Sequence, residues 1–356
     1  MENNATDTMD LRQIAGRFFL RNEENGVTVY DKPMHTYDFY EGLRAGDVPG
    51  ESAEACEAFL AKQQDRKTKN IRSKYPFYIG WQLSGTCNLN CIYCFADNKI
   101  HNPNTDDIMD TANTILSFRP IAVGLSGGEP TMNPRLAEIM RLFHGRTNGV
   151  LNTNGTTDQL EKLIPVIKET NTFVRLTIDA ADNDLLNELR PPIRMPKGGF
   201  DQIGRFRRHI GLMQEAGVSF MIHTVVTAKN LPAMEQTAQA LIDMGVTRWH
   251  LYSVDYSEKC KDIFDDIKVT TDRMRENHEN LTAKFGDKLK ITSALLELGF
   301  RARAVLLVDS LGRFLVDTIT DGLRYIGENP KKPTYEELMR ELDYETHTKC
   351  YLRNFW

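Results

Sequence analysis

The sequence lacks long apolar runs, a basic excess and any low-complexity tract. No stretch approaches the ~20 apolar residues of a membrane span. The first residues, Met-Glu-Asn-Asn-Ala-Thr-Asp, are polar and acidic and show no signal-peptide pattern. The expectation is a cytoplasmic protein with no membrane partner. Lys and Arg number 44 against 49 Asp and Glu, a net charge of −5. No global basic field therefore points to nucleic acid, and short stretches such as Arg205-Phe-Arg-Arg208 read as solvated helix faces. Cysteine is scarce, with six residues, and nothing suggests a disulfide framework. What is present is enough for a proper core: 356 residues with 41% hydrophobic content, room for one large domain with an appendage or for two domains.

Three of the six cysteines are close together, in Cys87-Asn-Leu-Asn-Cys91-Ile-Tyr-Cys94. A zinc site would want a fourth Cys or His at a suitable spacing. The nearest histidine, His101, is seven residues on, a loose fit. An iron–sulfur cubane normally takes four thiolates. Three in one tight loop leave an iron open to a substrate or cofactor, and such a cluster implies a reducing compartment.

Residues 1–70 read as a separate α+β unit. Arg17–Tyr40 alternates apolar and polar residues around Glu24-Asn-Gly26, a hairpin signal. Gly50-Glu-Ser-Ala-Glu-Ala opens a short helix, and Gln63–Asn70 is a polar linker. From Phe77 the chain alternates. Strands are expected at Phe77–Leu83, Ile121–Leu125, Val150–Asn152, Phe173–Ile178, Ser219–Val226 and Trp249–Ser253. Helices are expected at Asp106–Phe118, Pro134–His144, Asp158–Thr170, Phe200–Ala216 and Leu231–Met244. Repeated βα order predicts a parallel sheet with helices outside. Polar motifs fall where strands end: Gly127-Gly-Glu-Pro130, Asn152-Thr-Asn-Gly155 and Thr177-Ile-Asp179. Chemistry in βα barrels sits at those ends.

The CxxxCxxC spacing with GGEP behind the next strand resembles the radical S-adenosylmethionine superfamily. The resemblance implies a partial (β/α)6 TIM barrel over residues 71–300, with one [4Fe–4S] cluster on Cys87, Cys91 and Cys94 and with S-adenosylmethionine as cofactor. In that family GGEP holds the cofactor's amino group, which assigns Gly127, Gly128, Glu129 and Pro130. Tyr93, before the third cysteine, and Val225 are implied near the adenine. Asn152 and Asn154 match a TNG-type turn. Thr177 and Asp179 stand where relatives have Ser-Leu-Asp-Gly, with Ala180 in place of the glycine. Arg190 matches an arginine that pairs with the cofactor carboxylate in peptide-modifying members, and Arg194 is its rival. The reaction implied is reductive cleavage of S-adenosylmethionine to a 5′-deoxyadenosyl radical that abstracts a hydrogen atom.

In the C-terminal part, Val305–Asp309 and Arg313–Asp317 read as a hairpin turning at Gly312, followed by a helix over Thr334–Leu342. Residues 301–356 resemble a SPASM-type domain whose auxiliary-cluster cysteines are missing. Cys260 and Cys350 are candidate hydrogen-atom donors to a substrate radical, beside the plainer reading of inert thiols. His223 and His250 read as core or pore-lining residues. The leading expectation is maturation of a ribosomally made precursor peptide, with residues 1–70 as a winged-helix recognition domain or a plain extension packed on the barrel. A flavodoxin- or ferredoxin-type protein would donate the electron. The alternatives are the same chemistry on a small polar molecule (a sugar, aminoglycoside or nucleoside) and, from another class, a non-catalytic iron–sulfur scaffold.

Overall fold

The computed structural model describes residues 11–34, 36–73, 75–95, 105–197, 199–294, 305–318 and 322–351. It opens with an antiparallel meander: β1 (Leu11–Ile14), β2 (Phe18–Glu23), β3 (Gly26–Asp31) and β4 (Thr36–Glu41). The β2–β3 hairpin turns at Glu24 and Asn25, with Glu23 opposite Gly26. Helix α1 (Ala53–Ala61) follows, its start fixed by Ser52 Oγ, which accepts from the Ala55 N–H. Among the described residues the unit has four strands and one α-helix, where the sequence reading gave one hairpin and one short helix.

The strands and helices then alternate: β5 (Tyr78–Ser84), α2 (Thr105–Ser117), β6 (Ala122–Gly127), α3 (Leu136–Phe143), β7 (Asn148–Thr153), α4 (Gln159–Glu169) and β8 (Phe173–Thr177). There follow α5 (Asn183–Leu189), α6 (Gln202–Glu215), β9 (Phe220–Val226), α7 (Met234–Asp243), β10 (Arg248–Ser253), α8 (Phe264–Ile267), α9 (Thr271–Phe285) and β11 (Lys290–Ala294). Strands β5 to β11 are parallel neighbours in sequence order. This is the expected parallel α/β architecture, an open partial barrel, extended by a seventh parallel strand. The sequence reading stops at β10 because α9 buries only Met274, Leu281 and Phe285 and β11 is the polar string Lys-Ile-Thr-Ser-Ala.

The C-terminal elements complete the same sheet. β12 (Leu306–Val308) pairs parallel with β5, and β13 (Phe314–Thr318) and β14 (Gly322–Tyr325) continue it antiparallel. Helices α10 (Tyr335–Glu341) and α11 (Tyr344–Tyr351) end the described chain. Thr334 and Glu337 form a capping box at α10.

The two sheet faces are legible in the alternation. Ile79, Trp81, Val123, Leu125, Leu151, Val174, Leu176, Ile222, Trp249 and Leu251 pack under the helices. The opposite face carries Tyr78, Asn152, Arg175, Thr177, His223, Val225, His250 and Tyr252, as the strand registers require. At the strand starts, Ala122, Val150, Phe173 and Met221 join Phe19, Tyr30, Tyr37 and Phe39 of the meander in one buried cluster. The other meander face packs under α1 through Phe18, Leu20, Val27, Val29, Cys56 and Leu60. Residues 11–66 therefore floor the barrel at the end opposite the polar motifs.

Candidate active site

The cysteine loop leaves β5 at its C-terminal end and is clamped by the segment after α5. Asn90 N donates to Pro191 O at 2.8 Å, Ile92 N to Leu189 O at 3.0 Å and Ile193 N to Asn88 O at 2.9 Å. Cys87, Cys91 and Cys94 are free thiols, each half-buried. Among the described residues no three His, Cys, Asp or Glu side chains converge on a point fit for a single ion. A tetrahedral zinc site, with Zn–S near 2.3 Å, would draw its sulfurs to roughly 4 Å of one another. A cubane instead takes each thiolate on a separate iron, and three half-buried thiols in one loop are a donor set of that chemistry. Burial pushes the Cys91 thiol up to about 12, with Arg190 pulling the other way. Metal binding would have to hold it deprotonated. The Cys87 sulfur already accepts hydrogen bonds from Leu89 N at 3.4 Å and Asn154 Nδ2 at 3.7 Å.

The Gly-Gly-Glu-Pro turn is pressed against the root of that loop. Gly128 N donates to Ser84 O at 2.5 Å and Glu129 N to Thr86 O at 2.7 Å. Gly127 has φ +121°, and a Cβ there would sit 2.3 Å from Ser84 O; at Gly128 it would sit 2.2 Å from Thr86 O. Both glycines are thus required by backbone contact. Pro130 begins a 3₁₀ turn capped by Glu129. The Glu129 carboxylate is fully buried and accepts from Thr131 N (3.1 Å), Thr131 Oγ1 (2.5 Å), Thr153 Oγ1 (2.7 Å) and Asn154 N (2.7 Å). Burial raises its pKa, and the four donors oppose that shift. Glu129 therefore ties the turn after β6 to the turn after β7.

A second buried node lies after β8. Asp179 accepts from Val225 N at 2.8 Å and from the Tyr93 hydroxyl, and stands 3.6 Å from Arg190 Nη1. Burial raises the Asp179 pKa while Arg190 and Tyr93 lower it. Arg190, at the C-terminal end of α5, donates from Nη1 to Thr177 O and from Nη2 to Asn154 O at 2.8 Å. Its Nε is buried with no partner among the described residues. Of the two arginines, Arg190 is buried and Arg194 is exposed. Tyr93 and Val225 share a small apolar cluster. Thr177 and Asn152 are half-buried on the barrel-lining face.

The structure thus brings together Cys87, Cys91, Tyr93, Glu129, Asn154, Asp179, Arg190 and Val225 through direct bonds, packing or charge coupling. It does not bring Cys260 to an exposed position. That thiol is fully buried in the loop after β10, packed with Val254, Ile267, Ile92 and Tyr93 and bonded to Ser257 O at 3.5 Å. Ser257 Oγ in turn donates to Cys94 O at 3.0 Å, tying this loop to the cysteine loop. The Cys350 side chain and His101 lie outside the described residues. His223 and His250 are buried on the barrel-lining face with ring centroids 5.4 Å apart, and burial lowers the His250 pKa to about 3. Sequence reasoning did not single out Asn88, Thr131, Thr153 or Ser257. Only adjacency to a motif could have flagged them.

Residues 81–206, which hold all of these motifs except Val225, match the model of the Radical SAM superfamily. This segment is similar to a radical SAM domain. The chain is 30% identical over 185 residues to the AdoMet-dependent heme synthase of Methanosarcina barkeri, covering 50% of each chain. It is 25% identical over 219 residues to the mycofactocin maturase MftC of Mycolicibacterium smegmatis, covering 60% of this chain and 53% of that one. The chain spans about half the length of the curated relatives it matches. Its structure resembles that of Streptococcus suis SuiB bound to S-adenosylmethionine, with TM-score 0.61 and 14% identity over 85% of this chain and 82% of that one. That likeness shows a shared fold, including the elements on either side of the matched segment.

Proposed function

We propose that this chain is a radical S-adenosylmethionine enzyme that matures a ribosomally made peptide. The observation that carries the chemistry is the bonding of two strand-end turns to one cysteine loop: Glu129 joins the turns after β6 and β7, and Asn154 joins them to Cys87. Cys87, Cys91 and Cys94 would hold three irons of a [4Fe–4S] cluster. The Gly127–Pro130 turn, Thr177 and Arg190 would meet the methionine part of S-adenosylmethionine, with Tyr93 and Val225 beside the adenine. Cluster and cofactor, when bound, supply one-electron chemistry that removes a hydrogen atom from the substrate. The protein's own part is orientation. Arg190, held on two backbone carbonyls and Asp179, keeps a buried positive charge fixed beside Cys91, and its geometry needs no reorganisation when an anion arrives. A flavodoxin- or ferredoxin-type protein is proposed as electron donor.

The peptide reading draws support from the relative named as a maturase and from SuiB, crystallised with its precursor peptide SuiA. A second reading, the same chemistry on a non-peptide substrate, is favoured by the higher identity to the relative named as a heme synthase, 30% against 25%. The test is anaerobic reconstitution with dithionite and S-adenosylmethionine. Formation of 5′-deoxyadenosine that is lost in Cys91→Ala is expected; none from iron-replete protein would refute the chemistry. A mass change in a small peptide encoded beside this chain's gene would support the first reading. Its absence, with a small molecule suppressing uncoupled cleavage, would establish the second.

A further inference from the structure

Asn154 is the residue on which the cluster loop and both buried nodes converge. Its N–H donates to Glu129 Oε2 at 2.7 Å and its carbonyl accepts from Arg190 Nη2 at 2.8 Å. Its Oδ1 accepts from Thr156 N at 2.9 Å and Thr156 Oγ1 at 2.7 Å. Its Nδ2 donates to Asn88 Oδ1 at 2.9 Å and to Cys87 Sγ at 3.7 Å. The amide orientation follows from this network. The Thr156 N–H can only donate, so an oxygen must face it, and the NH₂ must face the sulfur. Both amide protons and both lone pairs of the side chain are therefore taken. The side chain has no polar group left for S-adenosylmethionine, whatever its place in a cofactor-binding motif.

We propose that Asn154 is a positioning residue that sets the reduction potential of the cluster through the Cys87 sulfur. The inference rests on the three-cysteine cluster of the proposed function. A hydrogen bond to a ligand thiolate stabilises the reduced cluster, whose sulfurs carry more negative charge, and so raises the potential. Leu89 N donates to the same sulfur at 3.4 Å from within the cysteine loop. Asn154 adds a donor from another strand end, and Asn88 holds that donor in line from between Cys87 and Cys91. Through Glu129 and Arg190 the same residue is bonded to the proposed cofactor pocket, so cluster potential and pocket geometry share one anchor.

The experiment is an anaerobic dithionite titration of reconstituted full-length protein without S-adenosylmethionine, followed by the spectrum of the reduced cluster, with iron and sulfide assayed in each sample. Asn154→Ala removes the donor, and Asn154→Asp replaces it with an acceptor while leaving an oxygen for Thr156. Both midpoints should fall below wild type, with Asp the lower. An unchanged or raised midpoint in iron-replete variants overturns the inference. If Asn154→Asp holds no cluster, Asn88→Ala decides. It frees the amide without touching the Cys87 contact directly, and a lowered midpoint supports the proposal while an unchanged one sinks it. Wild-type protein that takes up no cluster overturns the proposed function as well, a different failure from an unmoved potential.

Discussion

Exchanging Glu129 tests whether its carboxylate is a strut, a cofactor ligand or both. Glu129→Ala removes the acceptor for two backbone N–H groups, of Thr131 and Asn154, in a fully buried place. Each orphaned buried donor costs about 1–3 kcal/mol, so the pair should cost about 2–6 kcal/mol. The hydroxyl of Thr131 adds less, because it keeps Thr157 Oγ1 at 2.6 Å. Glu129→Gln retains one oxygen, which can serve Thr131 and Thr153, and turns an NH₂ toward Asn154 N. One donor is then lost, at about 1–3 kcal/mol. The expected order of stability in the cluster-free protein is wild type, Gln, Ala, read by anaerobic urea denaturation. With cluster restored, both variants should retain iron, since Glu129 is not an iron ligand. Both should bind S-adenosylmethionine more weakly, by about 1.5–3 kcal/mol for a lost charge-assisted contact. Equal denaturation midpoints for wild type and Ala would refute the strut. Undiminished cofactor affinity in a folded, iron-replete Ala variant would refute the ligand role.

Reconstituted protein should hold about four irons and four sulfides per chain, unchanged by exchange of Cys56, Cys260 and Cys350 to Ala; about eight or twelve that survive those exchanges would contradict a single cluster. Lys32 is buried with no hydrogen-bond partner for Nζ among the described residues, and burial lowers its pKa from 10.5 to about 7. The unfolded chain then binds the proton more tightly between those values. Stability should rise with pH from about 7 toward 10.5, and the deficit should be full below 7. Lys32→Met should remove that slope and stabilise the protein by about 5 kcal/mol at pH 6, and a variant with the same pH–stability curve as wild type would count against the burial argument. Deleting residues 1–70 bares Phe77, Tyr78, Val150, Phe173 and Met221, each large side chain losing about 1.5–3 kcal/mol of burial. Aggregation or dye binding by the truncated protein is expected. A well-folded truncation that cleaves S-adenosylmethionine but leaves a precursor peptide untouched would instead favour a recognition module.

The strand-end motifs were legible because their residue types have few other uses at that spacing. Cys87, Cys91 and Cys94 with Gly127–Pro130 marked the candidate site, and six of the seven strands from β5 to β11 showed their apolar cores. The rest was hidden for particular reasons. β11 has one large apolar residue, Ile291. Helix α5 is a two-turn insertion whose role, presenting Arg190 to Asn154 and Thr177, is visible only in space. The inward burial of Cys260 depends on the fold of a loop that carries no periodicity. The role of the meander was open in sequence because alternation shows two covered faces but not what covers them.

The barrel floor also bears on how this chain is made. Phe77 stacks on Tyr351, with ring centroids 6.1 Å apart, and Tyr37 meets the same ring edge-on at 5.6 Å. The Phe77 N–H donates to His347 Nε2 at 3.0 Å, across 270 residues of sequence. Such long-range contacts require loop closure over most of the polypeptide before they return any energy. During synthesis the meander and the first βα units emerge long before α11. The aromatic cluster at the strand starts must therefore wait, partly uncovered, until α11 leaves the ribosome. The floor is therefore expected to close late, as an aggregation-exposed step of folding.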